Sequence, residues 1–357
     1  MTPLKAQITR QITATGPLSI AEYMALCLLH PEHGYYITRD PLGAKGDFTT
    51  APEISQMFGE LVGLALAQVW MDQGAPTPFA LVELGPGRGT LMADLLRATR
   101  DVPGFHAAAH LHLIEASPTL RDAQANLLSD VTHHDGPETL PDLPLFAVAN
   151  EFFDALPIRQ FIRDGDQWRE RMVGLADGDL AFGLSAPLPL AALDHRLGDT
   201  SQGDMVNLCT PAAAVVGTLG ARIADRGGAA LIIDYGDWRT SGDTFQAVRD
   251  HAKADPLGAP GMADLTAHVD FENLARAAAP ASHTDATAQG VFLERLGITP
   301  RAQALAKRLS GATLNEHVAA HRRLTHPDEM GTLFKVMALY PRGAEPPPGL
   351  DPKKADS

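Results

Sequence analysis

Residues 79–90 combine a buried-strand pattern, a glycine-rich turn and the start of a helix, an order that can hold a nucleotide-like ligand. Gly85, Gly87 and Gly89 stand at alternate positions in the turn. Because glycine has no Cβ, the backbone can turn sharply and approach a ligand, and the next helix offers free N–H groups. A second predicted strand ends in Glu115, whose carboxylate can accept both ribose hydroxyls of an adenosine. The pattern predicts a cofactor site; the alternative is a glycine-rich turn of purely structural use.

The spacing of this turn separates two classes of cofactor. A dinucleotide fingerprint needs a third glycine three positions after its second, where helix and strand pack around a pyrophosphate. Thr90 occupies that position. Glu83, which ends the strand, would repel a pyrophosphate but attract the cationic amino-acid part of a ligand without phosphate. The run 83–89 resembles the first motif of S-adenosylmethionine (SAM)-dependent methyltransferases. The predicted cofactor-binding residues are therefore Glu83, Gly85, Gly87, Gly89 and Glu115.

An acidic loop, residues 150–154, follows the fourth predicted strand of the core and is the candidate acceptor site. Open α/β sheets bind ligands at the carboxyl ends of their strands. The loop resembles the Asn-Pro-Pro-aromatic loop of amino-methyltransferases, so Asn150 is expected to accept from the target nitrogen. If the acceptor is an arginine, its guanidinium is protonated in water and pairs best with carboxylates. Glu151 is then expected to orient it and receive a proton, with Asp154 as the second candidate. Alternatively, Asp154 caps the next helix.

Phe152 and Phe153 complete this loop, as an apolar wall of the site or as ordinary core residues. A second signature, rich in polar residues, precedes the glycine-rich turn. There Asp47, Phe48 and Thr49 are expected to fold over the cofactor.

Three further polar residues are weaker candidates. His251 can accept a proton at neutral pH, although it also fits an ordinary surface histidine. Asp270 is expected either to contact the substrate or to cap the helix that opens at Phe271. Asp135 follows the third predicted strand, where methyltransferases often place an adenine contact.

Composition excludes several classes of protein. Apolar residues make up 45% of 357 residues, yet no run approaches the 18 or more that span a membrane, so no membrane insertion is predicted. A net charge of −14 opposes nucleic-acid binding and favours a basic substrate. Two cysteines, Cys27 and Cys209, and the spacing of 14 histidines predict neither a disulfide framework nor a metal site. The first residues lack a targeting pattern, which predicts a cytoplasmic location.

The chain is organised around alternating strands and helices. Residues 1–75 are predicted to form a helical N-terminal cap or lid, whose second main helix runs from Thr50, as N-cap of a capping box with Glu53, to about Met71. Residues 76–340 are predicted to form an α/β domain with a mostly parallel sheet, interrupted by an insertion at about 157–205. The tail, 341–357, is rich in proline and charge and is predicted to be disordered.

Motifs distributed along nearly the whole chain are similar to those of the MidA-like family. They are residues 34–36, 46–60, 83–89, 150–157, 234–236, 263–271 and 330–335. The resemblance implies a Rossmann-like SAM-dependent methyltransferase sheet with an antiparallel last strand. In mitochondrial members, the complex I assembly factor methyltransferases, it implies symmetric dimethylation of an arginine in a complex I subunit. One departure is visible, because Asn207 stands where a glutamate is expected.

The leading hypothesis is therefore a SAM-dependent protein-arginine N-methyltransferase acting on a respiratory complex I subunit or a similar protein. A second hypothesis keeps the methyltransferase but changes the substrate to a small molecule or an RNA. A third is a SAM-binding assembly chaperone whose insertion grips a partner. A nicotinamide dehydrogenase is disfavoured by Thr90. The sequence does not specify the oligomeric state.

Overall fold

The computed structural model describes residues 2–38 and 49–353, so Asp47 and Phe48 lie outside the described residues. No helix in these two ranges is long and apolar enough to cross a membrane. The α-helices are α1 Pro3–Thr15, α2 Ile20–Leu29, α3 Tyr35–Thr38, α4 Ala51–Ile54, α5 Gln56–Asp72, α6 Thr90–Ala98, α7 Phe105–Ala108, α8 Pro118–Leu127, α9 Thr210–Arg226, α10 Phe271–Ala277, α11 Gln289–Arg295, α12 Ile298–Ala306 and α13 Gly311–Thr325.

The strands are mostly short. They are β1 Leu18–Ser19, β2 Phe79–Leu84, β3 Ala109–Ile114, β4 Val131–His134, β5 Leu145–Asn150, β6 Arg159–Asp164, β7 Gln167–Ala176, β8 Asp179–Leu184, β9 Met205–Leu208, β10 Gly228–Asp237, β11 Gln246–Arg249, β12 Ala252–Ala254, β13 Asp264–Thr266, β14 Val269–Asp270, β15 Ser282–His283, β16 Thr287–Ala288 and β17 Phe334–Tyr340.

The chain divides into two compact units. The sheet unit comprises Thr49–Phe153, Ala213–Trp238 and Phe271–Ser357, and the insert unit comprises Met1–Phe48, Asp154–Ala212 and Arg239–Asp270. Neither unit ends at the predicted boundaries, 75 and 341, because α5 and the C-terminal residues belong to the sheet unit.

The sheet unit is built on strands in the order β4-β3-β2-β5-β10-β17. Neighbours from β4 to β10 are parallel, while β17 is antiparallel to β10 and also pairs with the short β15 and β16. The six residues of β2 are all buried, as are those of β5, which fits apolar strands covered on both faces. The predicted mostly parallel sheet with an antiparallel last strand is confirmed.

Helix α5 packs into the core of the sheet unit. Its Trp70 meets Phe79 of β2 and Phe105 of α7 at ring-centroid distances of 5.8 and 5.3 Å. The same core reaches Leu350, which is 7% exposed, and Arg295 donates to the Gly349 carbonyl oxygen at 3.1 Å. Residues 341–353, predicted to be disordered from their composition, therefore pack against the sheet unit instead.

The insert unit contains two small sheets. Strands β1, β7, β6 and β9 form one in that order, with β8 paired to β7; β12, β11 and β13 form the other. Helix α2 begins with a capping box, in which the Ser19 hydroxyl accepts from Glu22 N–H and the Glu22 carboxylate accepts from Ser19 N–H. The unit has its own apolar core, to which Tyr23, Val173 and Phe245 contribute.

The predicted long helix from Thr50 to about Met71 is wrong, because the segment forms two helices. The extended conformation of Ser55, at φ −159° and ψ 134°, ends α4, and its side chain accepts from Met57 N–H to cap α5. The predicted capping box is also absent: Thr50 makes no side-chain cap to α4. Ser55 offers a second N-cap five residues further on, and the chain uses it.

Glu60 of α5 is the buried anchor of this layer of helices. Its carboxylate accepts from Arg97 Nη1 of α6 at 2.6 Å and from Arg301 Nε of α12 at 2.8 Å. Burial raises the pKa of Glu60, but the hydrogen bonds and charges of Arg301 and Arg97 outweigh it and hold the pKa below its usual value of 4.5. The carboxylate therefore stabilises the fold in its ionised form.

We expect Glu60→Gln to lower the free energy of unfolding at pH 7 by about 2 kcal/mol, since charge-assisted hydrogen bonds are lost. A depressed carboxyl pKa stabilises the fold above the unfolded-state pKa, and this stability is lost as the pH falls through the folded value. The difference between wild type and variant in urea unfolding should thus shrink below pH 4.5. Glu316→Gln, on an exposed face of α13, is the control. Equal stability at pH 7 would contradict the assignment.

Candidate functional site

The turn after β2 has the conformation that its glycines predict. Gly85, Gly87 and Gly89 have φ values of 64°, 55° and 84°, all in the left-handed region that side chains disfavour. Helix α6 begins at Thr90, directly after Gly89 as its N-cap residue. The backbone therefore turns three times within five residues and delivers the start of a helix to the carboxyl edge of the sheet.

The acidic loop packs against this turn within the sheet unit. A Cβ built on Gly85 would lie 2.8 Å from Cδ2 of Phe152, so the ring of Phe152 covers the backbone of Gly85. Phe153 is only 3% exposed and belongs to the interior, whereas Phe152 is partly exposed. The two alternatives left open by the sequence therefore apply to different residues: Phe153 is a core residue, and Phe152 lies on the glycine turn.

Glu83 is a buried acid near the end of β2, with 3% of its surface exposed. Its Oε2 atom is buried and makes no hydrogen bond with the protein. Burial raises the pKa of Glu83 well above its usual value, a hydrogen bond from the Met92 backbone lowers it, and the charge of Glu115 raises it further. A cationic group next to Glu83 would stabilise its ionised form and lower its pKa. The orphaned oxygen therefore fits the amino group of a SAM-like ligand.

Glu115 follows β3, as predicted, and is held by its own loop. Its Oε1 accepts from Ser117 N–H at 2.8 Å, and Oε2 accepts from Gln124 Nε2 at 3.3 Å. Burial raises the pKa of Glu115, while these hydrogen bonds lower it. The same Gln124 amide donates to the carbonyl oxygen of Gly87 at 2.6 Å. Gln124 thereby connects the two predicted halves of the cofactor site.

Gln124 was not predicted as a site residue, although the spacing of its helix marks it as buried. Helix α8 places Leu120, Gln124 and Leu128 at intervals of four residues, which is the spacing of a buried helix face. A polar residue in the middle of such a face needs a partner inside the protein. Gln124 is 0% exposed.

Asp135 lies at the protein surface and pairs with an arginine. Its side chain is 90% exposed and lies 2.5 Å from Arg121 Nη2. Arg121 also donates to the backbone oxygen of Glu115 through Nε at 2.7 Å. This ion pair ties the ends of β3 and β4 together, so Asp135 has a structural partner; its predicted contact with adenine stays a prediction.

Asn150 and Glu151 lie at the end of β5, opposite the glycine turn. Asn150 is 7% exposed, and its Oδ1 is buried with no hydrogen-bond partner in the protein. Glu151 has φ 51°, which is strained for a residue with a side chain. Its Oε1 accepts from Ala51 N–H at 3.0 Å and from Asn150 Nδ2 at 3.2 Å. An acceptor amide oxygen and an oriented carboxylate thus occur side by side.

Asp234 at the end of β10 supports this turn. It is 0% exposed, and its carboxylate accepts from Phe153 N–H at 3.0 Å and from Tyr235 N–H at 2.9 Å. Glu151 N–H continues the sheet by donating to Ile233 O at 2.9 Å. The strained residue is held by its own N–H bond to Ile233 O and by the bond from Phe153 N–H to the Asp234 carboxylate.

The remaining predicted residues lie elsewhere. Asp154, in the insert unit, is 7% exposed; it does not cap a helix, because a turn and then β6 follow it. His251 has φ 59° in the exposed turn between β11 and β12. Asp270 accepts from Thr240 N–H at 3.0 Å and pairs with Arg196 at 3.5 Å. Thr49 is partly buried in the residues before α4.

Asn207, the departure from the family pattern, is also in the insert unit. It is 4% exposed, accepts from Gln160 and donates to Thr244.

A family model described as "Putative S-adenosyl-L-methionine-dependent methyltransferase" matches residues 61–289. The protein arginine methyltransferase NDUFAF7, mitochondrial, of Danio rerio is 38% identical over 93% of this chain and 85% of its own length, and that of Homo sapiens is 38% identical over 96% and 84%. A crystal structure of a Burkholderia thailandensis protein bound to S-adenosyl-homocysteine superposes with a TM-score of 0.80, at 28% identity, covering 97% of this chain and 93% of that one.

The predicted cytoplasmic location is wrong by this comparison. The relatives from Danio rerio, Homo sapiens and Drosophila melanogaster are all named as mitochondrial proteins. The prediction rested on the missing targeting pattern at the start of the sequence, which says nothing about where relatives of this kind function.

The raised pKa of Glu83 has a measurable consequence. The unfolded chain loses the Glu83 proton near pH 4.5 while the folded protein retains it, so the free energy of unfolding decreases as the pH rises above that value. We expect Glu83→Gln to raise the unfolding temperature of the ligand-free protein at pH 7 and to leave it unchanged near pH 4. Differential scanning calorimetry measures this, with Glu316→Gln as the control. A lower unfolding temperature at pH 7 would show that Glu83 stabilises the free protein instead.

Proposed function

The chain belongs to the family of SAM-dependent methyltransferases, and on this premise we propose that it methylates the guanidinium group of an arginine in a protein substrate. Bound SAM supplies a methyl group on a sulfonium, which is open to displacement by a nitrogen. The protein must therefore hold a nitrogen nucleophile in line with that methyl group and exclude water. The relatives named protein arginine methyltransferases support arginine as the acceptor.

The observation that carries the proposal is the pair Asn150 and Glu151. A guanidinium keeps its proton at neutral pH and binds carboxylates best. The Glu151 carboxylate is oriented by Ala51 N–H and by the Asn150 amide, while Asn150 Oδ1 is buried and still available to accept a hydrogen bond. In our proposal Glu151 binds the guanidinium and takes up the proton released by transfer, and Asn150 accepts from the target nitrogen.

The donor side of the proposal uses residues of the same sheet edge. Glu83 would bind the amino group of SAM and Glu115 the ribose hydroxyls, while the glycine turn lets the ligand approach the backbone. Phe152, which covers Gly85, would form the apolar wall next to the reacting groups. The net charge of −14 favours a basic protein segment as the substrate.

Other predicted residues receive different support. Asp154 is the last residue of the acidic loop, and its role as a second carboxylate stays a prediction. The exposed turn of His251 and the ion pair of Asp270 with Arg196 give no support to catalytic roles. A respiratory complex I subunit as the substrate rests on the family resemblance and stays a prediction.

Cofactor binding is tested at Gly85. We expect Gly85→Ala to weaken SAM binding at least tenfold, because the new Cβ must displace Phe152 and the left-handed backbone costs about 1 kcal/mol. Gly74→Ala is the matched control: its φ is 83° and nothing lies within 4 Å of its Cβ. It should lose similar stability but bind SAM as wild type does in isothermal titration. Wild-type affinity in Gly85→Ala would refute the assignment of the turn.

Methyl transfer is tested with radiolabelled SAM and a lysate of cells that lack the enzyme. We expect an enzyme-dependent labelled protein whose hydrolysate contains methylarginine by mass spectrometry. Glu151→Gln should bind SAM normally and reduce transfer by about 100-fold, since it removes a charge contact and a proton acceptor. Glu316→Gln is the control.

Two outcomes would count against the proposal. Label found in another amino acid, in RNA or in a small molecule would replace the substrate class. Undiminished transfer in Glu151→Gln would remove Glu151 from the mechanism.

A further inference from the structure

Helix α4 connects the two loops of the site. Its first residue, Ala51, donates its N–H to Glu151 Oε1 of the acidic loop at 3.0 Å. Its third residue, Glu53, accepts from the Thr90 hydroxyl at 2.5 Å. Thr90 is the first residue of α6, directly after the glycine turn. A single helical turn therefore touches both the cofactor turn and the carboxylate proposed to bind the acceptor.

The Glu53 carboxylate has been turned towards the glycine loop. The sequence predicts that it caps its own helix together with Thr50, but Thr50 makes no such bond. Glu53 Oε1 binds Thr90 instead, and Oε2 lies 3.8 Å from Arg88 Nη1 in the glycine turn. The Glu53 side chain is only 20% exposed, which strengthens a charge-assisted hydrogen bond.

Thr90 stands at the position where a dinucleotide site has its third glycine. That glycine allows tight packing of helix on strand. Here the side chain is retained and its hydroxyl is used to hold another helix. Leucine or alanine at position 90 would fit an α-helix equally well but could not donate to Glu53.

The far end of α4 is also fixed. Ser55 leaves the helical conformation, and its hydroxyl accepts from Met57 N–H to start α5, whose Glu60 is anchored to Arg97 of α6. With Glu53 held to Thr90 and the next helix held to α6, α4 has little freedom to rotate. The direction of the Ala51 N–H is therefore set by the position of α6.

From these contacts we infer that Glu53 and Thr90 are positioning residues for methyl transfer. Their hydrogen bond fixes the position of α4 relative to the glycine turn. Through Ala51 N–H, this position orients the Glu151 carboxylate towards the acceptor. Donor binding and acceptor orientation are coupled through this one helical turn. The inference rests on the proposed role of Glu151 in binding the substrate guanidinium.

The test compares Thr90→Val, which keeps the shape but removes the hydroxyl, with Thr90→Ser, which keeps the hydroxyl. Amide hydrogen exchange of Ala51 is followed by NMR with and without SAM, and kcat and KM are measured for transfer. We expect Thr90→Val to speed Ala51 exchange and to lower kcat about 10- to 100-fold, because the reacting groups are misaligned, while the affinity for SAM changes less than about threefold. Thr90→Ser should restore both readouts.

Two further variants complete the design. Glu53→Ala removes the acceptor of the same bond and should reproduce the effects of Thr90→Val; the double variant should show no added loss, since both remove one interaction. Thr218→Val is the control: its hydroxyl donates only to the Ala214 carbonyl oxygen within α9, so the variant should leave exchange and transfer unchanged. If Thr90→Val does not fold, Glu53→Ala gives the same information from the other partner.

The outcomes separate this inference from the proposed function. Unchanged Ala51 exchange in both Thr90→Val and Glu53→Ala would overturn the coupling, whatever the substrate. Altered Ala51 exchange with an unchanged kcat would show that the contact does not position groups for methyl transfer, and would also overturn the inference. If instead Ala51 exchange changes as expected but no arginine is methylated by the wild type, the link exists and the assigned substrate is wrong.

Discussion

The site depends on the parallel pairing of β2 with β5. Leu84 lies opposite Ala149, so the glycine turn after β2 and the acidic loop after β5 leave the sheet at the same level. Parallel pairing with β3 places Leu84 opposite Ile114 and brings Glu115 to the same edge. A shift of one residue in either pairing would turn the side chains to the opposite face of the sheet. Because both β2 and β5 are fully buried, packing on two faces opposes such a shift.

This edge concentrates buried acidic side chains, and their ionisation would lower the stability of the free protein. Glu83 is buried, and burial raises the pKa of its own carboxyl group well above the usual value, so the group adds no stabilising ionic contact. Glu60 is equally buried but is bound by two arginines, and its pKa is lowered instead of raised. The difference lies in the partners: one acid is satisfied by the protein, and the other has a buried oxygen that the protein does not satisfy. A cationic ligand is the natural complement of the second arrangement.

Much of the sheet unit could be predicted from the sequence, because its signals are local. Apolar runs ended by glycine or an acid mark β2, β3 and β5, and their alternation with helices predicts that these strands are parallel. The order of the strands in the sheet was not predicted. The helix expected from Thr50 to Met71 was wrong because two N-caps compete, and the tertiary contacts of Glu53 and Glu60 favour the break at Ser55. The tail was misjudged because composition does not report that Leu350 finds an apolar surface. Gln124 is marked only by its place between Leu120 and Leu128 on a buried helix face, and Asp234 binds Phe153, which lies far away in sequence.

The backbone of Glu151 shows why the chemistry at this edge needs the rest of the fold. A left-handed conformation costs a residue with a side chain about 1 kcal/mol, and a glycine would adopt it without this cost. A glycine, however, would have no carboxylate. The conformation persists because Ile233 O binds Glu151 N–H, Asp234 binds Phe153 N–H, and Ala51 N–H holds the Glu151 side chain. Each such bond contributes on the order of 1 kcal/mol, which together exceeds the strain. The sheet thus places a carboxylate where the backbone alone would prefer glycine, and this strain supports the proposed role of Glu151 in binding the acceptor.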